Sequence, residues 1–187
     1  MQVMANLTMV ATTDPGIVQR NGLRLLREEA TADTSRRTGS STVISVDGIE
    51  TKQKYCSVCG VFRPPRSCHC VVCDNCVERF DHHCPWVGQC VGLRNYRVYV
   101  MFISSALLFF AYVLAFAWRR VGSVAAGTGA GVLGALRVAP ETVALGLFGA
   151  LAVWFLGGLV AFHCYLISVN QVRVSSFLLA HPCFTFP

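Results

Sequence analysis

Cysteines and histidines are crowded into one short segment, and this feature constrains the fold more than any other. Eight of the ten cysteines lie between Cys56 and Cys90, and three histidines are interleaved with them. Disulfides make no use of interleaved histidines, whereas zinc sites bind thiolates and imidazoles together. We therefore predict a cytosol-facing segment of loops and very short hairpins that is held together by metal.

The spacing of the cysteines supports metal binding. Cys56 and Cys59 form one pair with two intervening residues, and Cys70, Cys73 and Cys76 form two overlapping pairs of the same spacing. This spacing allows both thiolates to bind one metal from a tight turn. Two structural zinc sites need eight ligands, and the segment offers eleven candidates, eight Cys and three His. Spacing alone does not assign these candidates to sites.

The surplus of candidates points to chemistry beyond metal binding. An acid, an imidazole and a thiol stand next to one another in Asp81-His82-His83-Cys84. A thiol attacks as the thiolate, an imidazole can accept its proton, and a carboxylate can orient that imidazole. Cys84, His82 and Asp81 are the candidates for these three catalytic roles. The alternative reading of the spacing is that Cys84 is simply another zinc ligand.

Two long uncharged runs follow the cysteine-rich segment. Tyr99 to Trp118 is twenty residues long, which as a helix spans about 30 Å, the thickness of a bilayer core. A second run of twenty-eight residues extends from Thr142 to Val169. Charged residues make up 14% of the chain, against about 25% in soluble domains. We therefore predict two transmembrane helices, since nothing else in the chain is large enough to bury such helices in a soluble fold.

Composition divides the chain into six segments. We predict a mostly irregular N-terminal segment and linker at 1–51, a zinc domain at 52–97 and a transmembrane helix at 98–118. A loop rich in Gly and Ala at 119–141, a second transmembrane helix at 142–169 and an atypical tail at 170–187 follow. Val43 to Ile49 predicts a short strand with an Asp-Gly turn. Two membrane spans place both chain ends on the same side of the membrane. Metal-binding cysteines require a reducing compartment, which makes this side the cytosol. The net charge of +6 is too mild to indicate nucleic-acid binding.

Residues 56–99 closely resemble the cysteine-rich domain of the zinc-finger DHHC-type protein S-acyltransferases, the palmitoyltransferases. The resemblance is carried by the run from Asp81 to Gly92 (DHHCPWVGQCVG) and by Arg94-Asn95-Tyr96 after it. Asp14-Pro15-Gly16 is similar to a motif that follows the family's second span. The run from Trp86 to Cys90 (WVGQC) is most similar to plant members, and many others carry Asn where this chain has Gln89.

The resemblance implies a two-step reaction. A long-chain acyl group, palmitoyl, passes from acyl-CoA to Cys84 as a thioester and then to a cysteine of a protein substrate, with His82 as the base and Asp81 orienting it. The resemblance also implies two structural zinc ions, one bound by Cys56, Cys59, His69 and Cys76 and the other by Cys70, Cys73, His83 and Cys90. The implied partners are acyl-CoA, membrane-associated proteins with cytosolic cysteines, and the lipid bilayer, with no nucleic acid.

The implied fold is an α-helical membrane protein with a small, irregular two-zinc domain facing the cytosol. Such proteins are multi-pass and reside in endomembranes (Golgi or endoplasmic reticulum) or in the plasma membrane. The family has four spans, but no long apolar run precedes Asp14, and Val172 to Ser175 stands where a TTxE motif is expected. We therefore expect a chain shortened at both ends. The alternative function is a catalytically inactive membrane adaptor, although the intact Asp81, His82 and Cys84 favour the enzyme.

Overall fold

The computed structural model describes residues 1–20, 41–46 and 49–169. The predicted tail at 170–187 and the Asp-Gly pair of the predicted turn lie outside these residues. The chain divides into two compact units. One comprises Met1–Met9 and Val98–Ser168, and the other includes Val10–Arg97.

Helices form the first unit. Helix α1 covers Gln2–Thr12, α2 covers Tyr96–Thr128, the short α3 covers Gly131–Val138, and α4 covers Pro140–Ser168. The last three residues of α1 and the first two of α2 belong to the second unit. Both α2 and α4 are long and apolar enough to cross a membrane, and only 17% and 6% of their most apolar windows are buried. Apolar surface that is this extensive and this exposed suits lipid rather than water. The predicted span at 98–118 therefore falls within α2, and the one at 142–169 lies within α4 except for its last residue.

Small residues allow α2 and α4 to pack closely. A Cβ atom added at Gly149 would lie 3.5 Å from the Cβ of Leu114, and one added at Gly146 would lie 3.5 Å from the Cβ of Ala117. Helices in membranes approach one another in this way at glycine and alanine. Farther along the same antiparallel pair, the ring of the fully buried His163 meets the ring of Tyr99 edge-on, with centroids 5.3 Å apart.

The prediction that residues 1–51 are mostly irregular is wrong for α1. Asn6 is only 3% exposed, and its side-chain amide donates hydrogen bonds to Ser105 Oγ (3.0 Å) and to the carbonyl of Met101 (3.3 Å) on α2. A helix of eleven residues is marginal by itself, so this tertiary contact is what stabilises it. The strand predicted at Val43–Ile49 is confirmed in β1, whose last residue pairs with Ile49.

The prediction of a flexible Gly/Ala-rich loop at 119–141 is also wrong. Helix α2 continues to Thr128, and α3 occupies most of the remainder. Alanine favours helix, so the run continues until two glycines interrupt it. Gly129 and Gly131 adopt positive φ angles of 64° and 60°, a conformation that glycine takes without steric cost.

Three small antiparallel sheets form the second unit. The first contains β1 (Ser41–Val46), β2 (Ile49–Cys56) and β3 (Val61–Phe62) in that order; the others are two hairpins, β4 (Cys68–Cys70) with β5 (Asn75–Val77), and β6 (His82–Cys84) with β7 (Gln89–Val91). The buried clusters between them consist mostly of cysteines. The predicted short hairpins are therefore confirmed, and thiols stand where a larger domain would place aliphatic side chains.

Residues 13–18, here called the Asp14 segment, run beside β5. The N–H of Val18 donates to the carbonyl of Cys76 (2.8 Å), and the N–H of Glu78 donates to the carbonyl of Gly16 (2.9 Å). Gly92 lies so close to this segment that an added Cβ would come within 2.6 Å of the carbonyl oxygen of Pro15. Only glycine therefore fits at position 92.

Asp14 fixes the conformation of the Asp14 segment. Its carboxylate accepts hydrogen bonds from the backbone N–H groups of Gly16 (2.9 Å) and Ile17 (3.0 Å), which closes a tight turn. The same carboxylate forms an ion pair with the guanidinium of Arg94 at 2.6 Å. The Asp-Pro-Gly motif therefore joins the end of α1 to the residues that follow β7.

Candidate active site and metal centres

Strand alternation divides the metal donors of the β4–β5 hairpin between two clusters. His69 pairs with Cys76 across the hairpin, so their side chains point to the same face. Cys70 is the next residue along β4 and points to the opposite face. His69 and Cys76 accordingly meet Cys56 and Cys59, whereas Cys70 belongs to the second cluster.

The two clusters each contain three thiols and one imidazole. Within each, the donor atoms lie within 4.8 Å of one another; the members are Cys56, Cys59, His69 and Cys76 in cluster one and Cys70, Cys73, His83 and Cys90 in cluster two. In cluster one, His69 Nδ1 is 3.3 Å from Cys59 Sγ and 3.9 Å from Cys76 Sγ. In cluster two, His83 Nδ1 is 3.3 Å from Cys73 Sγ and 3.8 Å from the other two sulfurs.

These separations fit tetrahedral zinc. Bonds of about 2.3 Å to sulfur and about 2.0–2.1 Å to nitrogen place neighbouring donors roughly 3.5–3.8 Å apart. Burial raises the pKa of Cys76 and Cys90, and the neighbouring cluster thiols raise it further. Such a cluster needs a bound cation to hold its thiolates in ionised form. The structure brings the eight donors together in the same two groups that the family resemblance implied.

The β6–β7 hairpin presents a metal face and a reactive face. His83 pairs with Cys90, and both contribute to cluster two. His82 and Cys84 flank His83 on β6, so alternation directs their side chains to the other face. Cys84 is therefore not a donor of either cluster. This placement argues against the alternative in which Cys84 is another zinc ligand.

Asp81, His82 and Cys84 form a hydrogen-bonded series on the reactive face. Asp81 is 3% exposed, and its Oδ2 lies 2.7 Å from His82 Nδ1, which donates to it. The His82 ring also hydrogen-bonds the side chain of Cys84. Cys84 is 4% exposed, and the backbone N–H groups of Val87 and Trp86 in the β6–β7 turn help to lower the pKa of its thiol. The three candidates therefore have the geometry of an orienting acid, an imidazole and a nucleophile.

The electrostatics of this series favour a thiolate beside an imidazolium. Burial of the His82 ring disfavours its charged form, but the bonds to Asp81 and Cys84 outweigh burial and raise its pKa to about 9. Burial also raises the pKa of the Cys84 thiol, but the bond to His82 and the N–H of Val87 bring that pKa below its ordinary value. Both shifts favour transfer of the proton from the Cys84 thiol to the His82 ring.

Removing the imidazole is expected to shift the pH dependence of Cys84 reactivity. His82→Ala removes the bond that lowers the thiol pKa, so the inflection in iodoacetamide alkylation of Cys84 should move to higher pH. At pH 7 the alkylation rate should fall by about tenfold, because alkylation follows the thiolate fraction. Quantitative mass spectrometry of the Cys84 peptide measures this rate, with glutathione in the same tube as a reference thiol. An unchanged pH profile would contradict the pairing of His82 with Cys84.

Two further residues support the site, and sequence reasoning did not assign them roles there. Asn95 is fully buried; its side chain accepts from the N–H of Gly92 and donates to the carbonyl of Cys90, both at 2.9 Å. Asp74 Oδ1 lies 3.7 Å from His69 Nε2, on the side of the ring away from the cluster sulfurs. The sequence signal for Asn95 is that it belongs to the Arg94-Asn95-Tyr96 run that carries the family resemblance. Asp74 has no such signal, because its contact with His69 depends on how the β4–β5 hairpin folds.

Comparison with known proteins decides the family. The model of the DHHC palmitoyltransferase family matches residues 49–177, which is well over half of the chain. The chain belongs to this family. The family recognised from the sequence and the predicted fold class are thereby confirmed, the fold class by the two span-capable helices and the two zinc-compatible clusters.

The relatives come from plants and animals. The chain is 44% identical over 178 residues to Protein S-acyltransferase 8 of Arabidopsis thaliana, covering 90% of this chain and 44% of the relative. It is 40% identical over 181 residues to Probable protein S-acyltransferase 7 of Arabidopsis thaliana, covering 91% and 40%. It is 40% identical over 183 residues to Palmitoyltransferase ZDHHC14 of Homo sapiens, covering 90% and 36%. This DHHC-family chain thus spans less than half the length of each of these relatives.

Proposed function

We propose that the chain carries the catalytic core of a protein S-acyltransferase that takes a long-chain acyl group, such as palmitoyl, from acyl-CoA. The acceptor of the final step is a cysteine on the cytosolic side of a membrane-associated protein. The single observation that carries the proposal is the Asp81–His82–Cys84 series, set on a hairpin whose opposite face contributes metal donors. The protein would be multi-pass, in endomembranes or the plasma membrane, with its cysteine-rich domain in the cytosol.

The first step follows from the thiolate–imidazolium pair. The Cys84 thiolate attacks the thioester carbonyl of acyl-CoA, and the carbon–sulfur bond to CoA breaks as the new thioester forms. The leaving CoA thiolate takes the proton from His82. Asp81 holds the ring in the orientation that directs this proton and stabilises the imidazolium.

The second step reverses these roles. The neutral His82 accepts the proton of the substrate cysteine, whose thiolate then attacks the acyl group on Cys84. Cys84 leaves as a thiolate, and the imidazolium beside it favours that charge. The thiolate–imidazolium pair is thereby restored, and no oxidant or other co-reactant is required.

Zinc has a structural role in this proposal. Each cluster offers four protein donors, the number that closes a tetrahedral site and leaves no position for substrate. The residues of the clusters hold β4–β5 and β6–β7 in place, so that Asp81, His82 and Cys84 are fixed without a large hydrophobic core.

The exposed side chain of Trp86 supports a reaction near lipid. Trp86 is 84% exposed, only two residues after the nucleophile. Tryptophan with an apolar body and one N–H is typical of membrane–water interfaces. A donor whose acyl chain lies in lipid would present its thioester at that level.

The test uses the purified chain in lipid nanodiscs with radiolabelled palmitoyl-CoA. One hydroxylamine-sensitive acyl group per chain, formed with release of one CoA, is the expected result. Absence of label with two zinc ions still bound would instead favour the inactive membrane adaptor, whose zinc domain only binds partners.

A further inference from the structure

We propose that Gln89 is a positioning residue for acyl-enzyme formation, because it ties the backbone opposite Cys84 to the end of α1. The inference rests on the proposed function. It adds to the reacting groups a side chain whose hydrogen bonds go to the carbonyls of Val10 and Thr13.

The register of the β6–β7 hairpin gives Gln89 its importance. Cys84 and Gln89 form the pair next to the turn, and residues 85–88 lie between them. The N–H groups of Val87 and Gly88 donate to the carbonyl of Cys84 at 3.2 and 2.9 Å, so the turn closes tightly. The N–H groups of Val87 and Trp86 in the same turn also help to lower the pKa of the Cys84 thiol. The position of the Gln89 backbone therefore determines how the turn holds the nucleophile.

The Gln89 side chain reaches a different part of the chain. Its Nε2 donates hydrogen bonds to the carbonyls of Val10 and Thr13, the latter at 3.1 Å. Helix α1 ends at Thr12, and the last carbonyls of a helix have no partner within it. A primary amide has two N–H groups and can satisfy both carbonyls. A carboxylate of the same shape has no donor and would face the negative end of the helix.

The residues that receive these bonds are themselves held in place. Val10 is fully buried. The Asp14 segment follows directly and is held by the Asp14–Arg94 ion pair and by the Glu78–Gly16 backbone bond. His83 and Cys90 hold the middle pair of the hairpin through cluster two, whereas Gln89 holds the pair at the turn, where Cys84 lies.

The test compares three variants of the full chain in nanodiscs. Gln89→Glu removes the donor without changing the shape of the side chain, and Gln89→Asn keeps the donor on a shorter chain. Gln53→Glu is the matched control, since Gln53 lies on β2 in a separate sheet. Single-turnover acylation at increasing palmitoyl-CoA separates binding from the chemical step.

Gln89→Glu is expected to keep two zinc ions and the affinity for palmitoyl-CoA, while its acylation rate constant falls roughly 10- to 100-fold, the cost of a misplacement of about 1 Å. The acylation rate constant should fall less in Gln89→Asn than in Gln89→Glu. The rate constant of Gln53→Glu should equal that of the parent chain. An unchanged rate constant in Gln89→Glu would overturn the proposal. Loss of zinc in proportion to the loss of rate would also overturn it, because Gln89 would then serve folding alone.

Hydrogen–deuterium exchange separates this inference from the proposed function. The amides of residues 84–91 and 10–14 should exchange faster in Gln89→Glu than in the parent chain and in Gln53→Glu. This measurement needs no acylation. A parent chain that forms no thioester would refute the proposed function, while the exchange rates would still decide whether Gln89 anchors the hairpin. Unchanged exchange in Gln89→Glu would show that it does not.

Discussion

Replacing Cys84 with serine is expected to abolish the hydroxylamine-sensitive label from palmitoyl-CoA, a loss of at least about a thousandfold, as for other essential nucleophiles. A serine hydroxyl does not ionise beside an imidazolium, so no thiolate is available to attack. Zinc content should remain at two per chain, because Cys84 lies on the face of β6 opposite to His83. Phosphorimaging before and after hydroxylamine and metal analysis of the same sample measure both quantities.

Cys164→Ser is the matched control for the nucleophile, since Cys164 is an exposed cysteine on α4 that belongs to neither cluster. It should retain both the label and the two zinc ions. Label that persists in Cys84→Ser would place the nucleophile elsewhere. Loss of one zinc ion from Cys84→Ser would instead support the reading in which Cys84 is a metal ligand.

Replacing Cys76 with serine is expected to unfold much of the cysteine-rich unit. Cys76 is fully buried and contributes to cluster one, and the buried clusters of this unit consist mostly of cysteines. Structural zinc contributes on the order of 10 kcal/mol to the folding of small zinc domains at pH 7, which exceeds the total stability of many domains. The variant should therefore lose at least one zinc ion and all acylation.

Metal analysis and amide exchange of residues 53–95 test this prediction. A strong zinc chelator should produce the same exchange pattern in the parent chain, and Cys164→Ser should remain protected. Retention of two zinc ions and of amide protection in Cys76→Ser would show that cluster one is not a metal site.

Particular residues show how far the sequence could lead. Residue types and spacing predicted metal chemistry and a nucleophile, but they left eleven candidates for eight ligand positions. The pairing of His69 with Cys76 and of His83 with Cys90 decides which donors meet. That pairing depends on hairpin register, and a shift of one residue would exchange the metal face for the reactive face.

The two errors about secondary structure have different physical origins. Helix α1 is short and needs its contact through Asn6, which a local pattern does not contain. Helix α3 lies in a segment rich in both alanine, which favours helix, and glycine, which disfavours it, so composition alone did not distinguish a helix from a loop.

By itself, the sequence determined the properties that residue types and uninterrupted runs convey: two apolar helices, zinc-compatible donors, and an acid, an imidazole and a thiol side by side. Only the tertiary structure decided how four donors share each cluster, that Cys84 faces away from both, and that Gln89 contacts Val10. Gln89 and Val10 are 79 residues apart in the chain. Contacts over such a distance depend on how the hairpins and the Asp14 segment pack together, and no local pattern of residues specifies that packing.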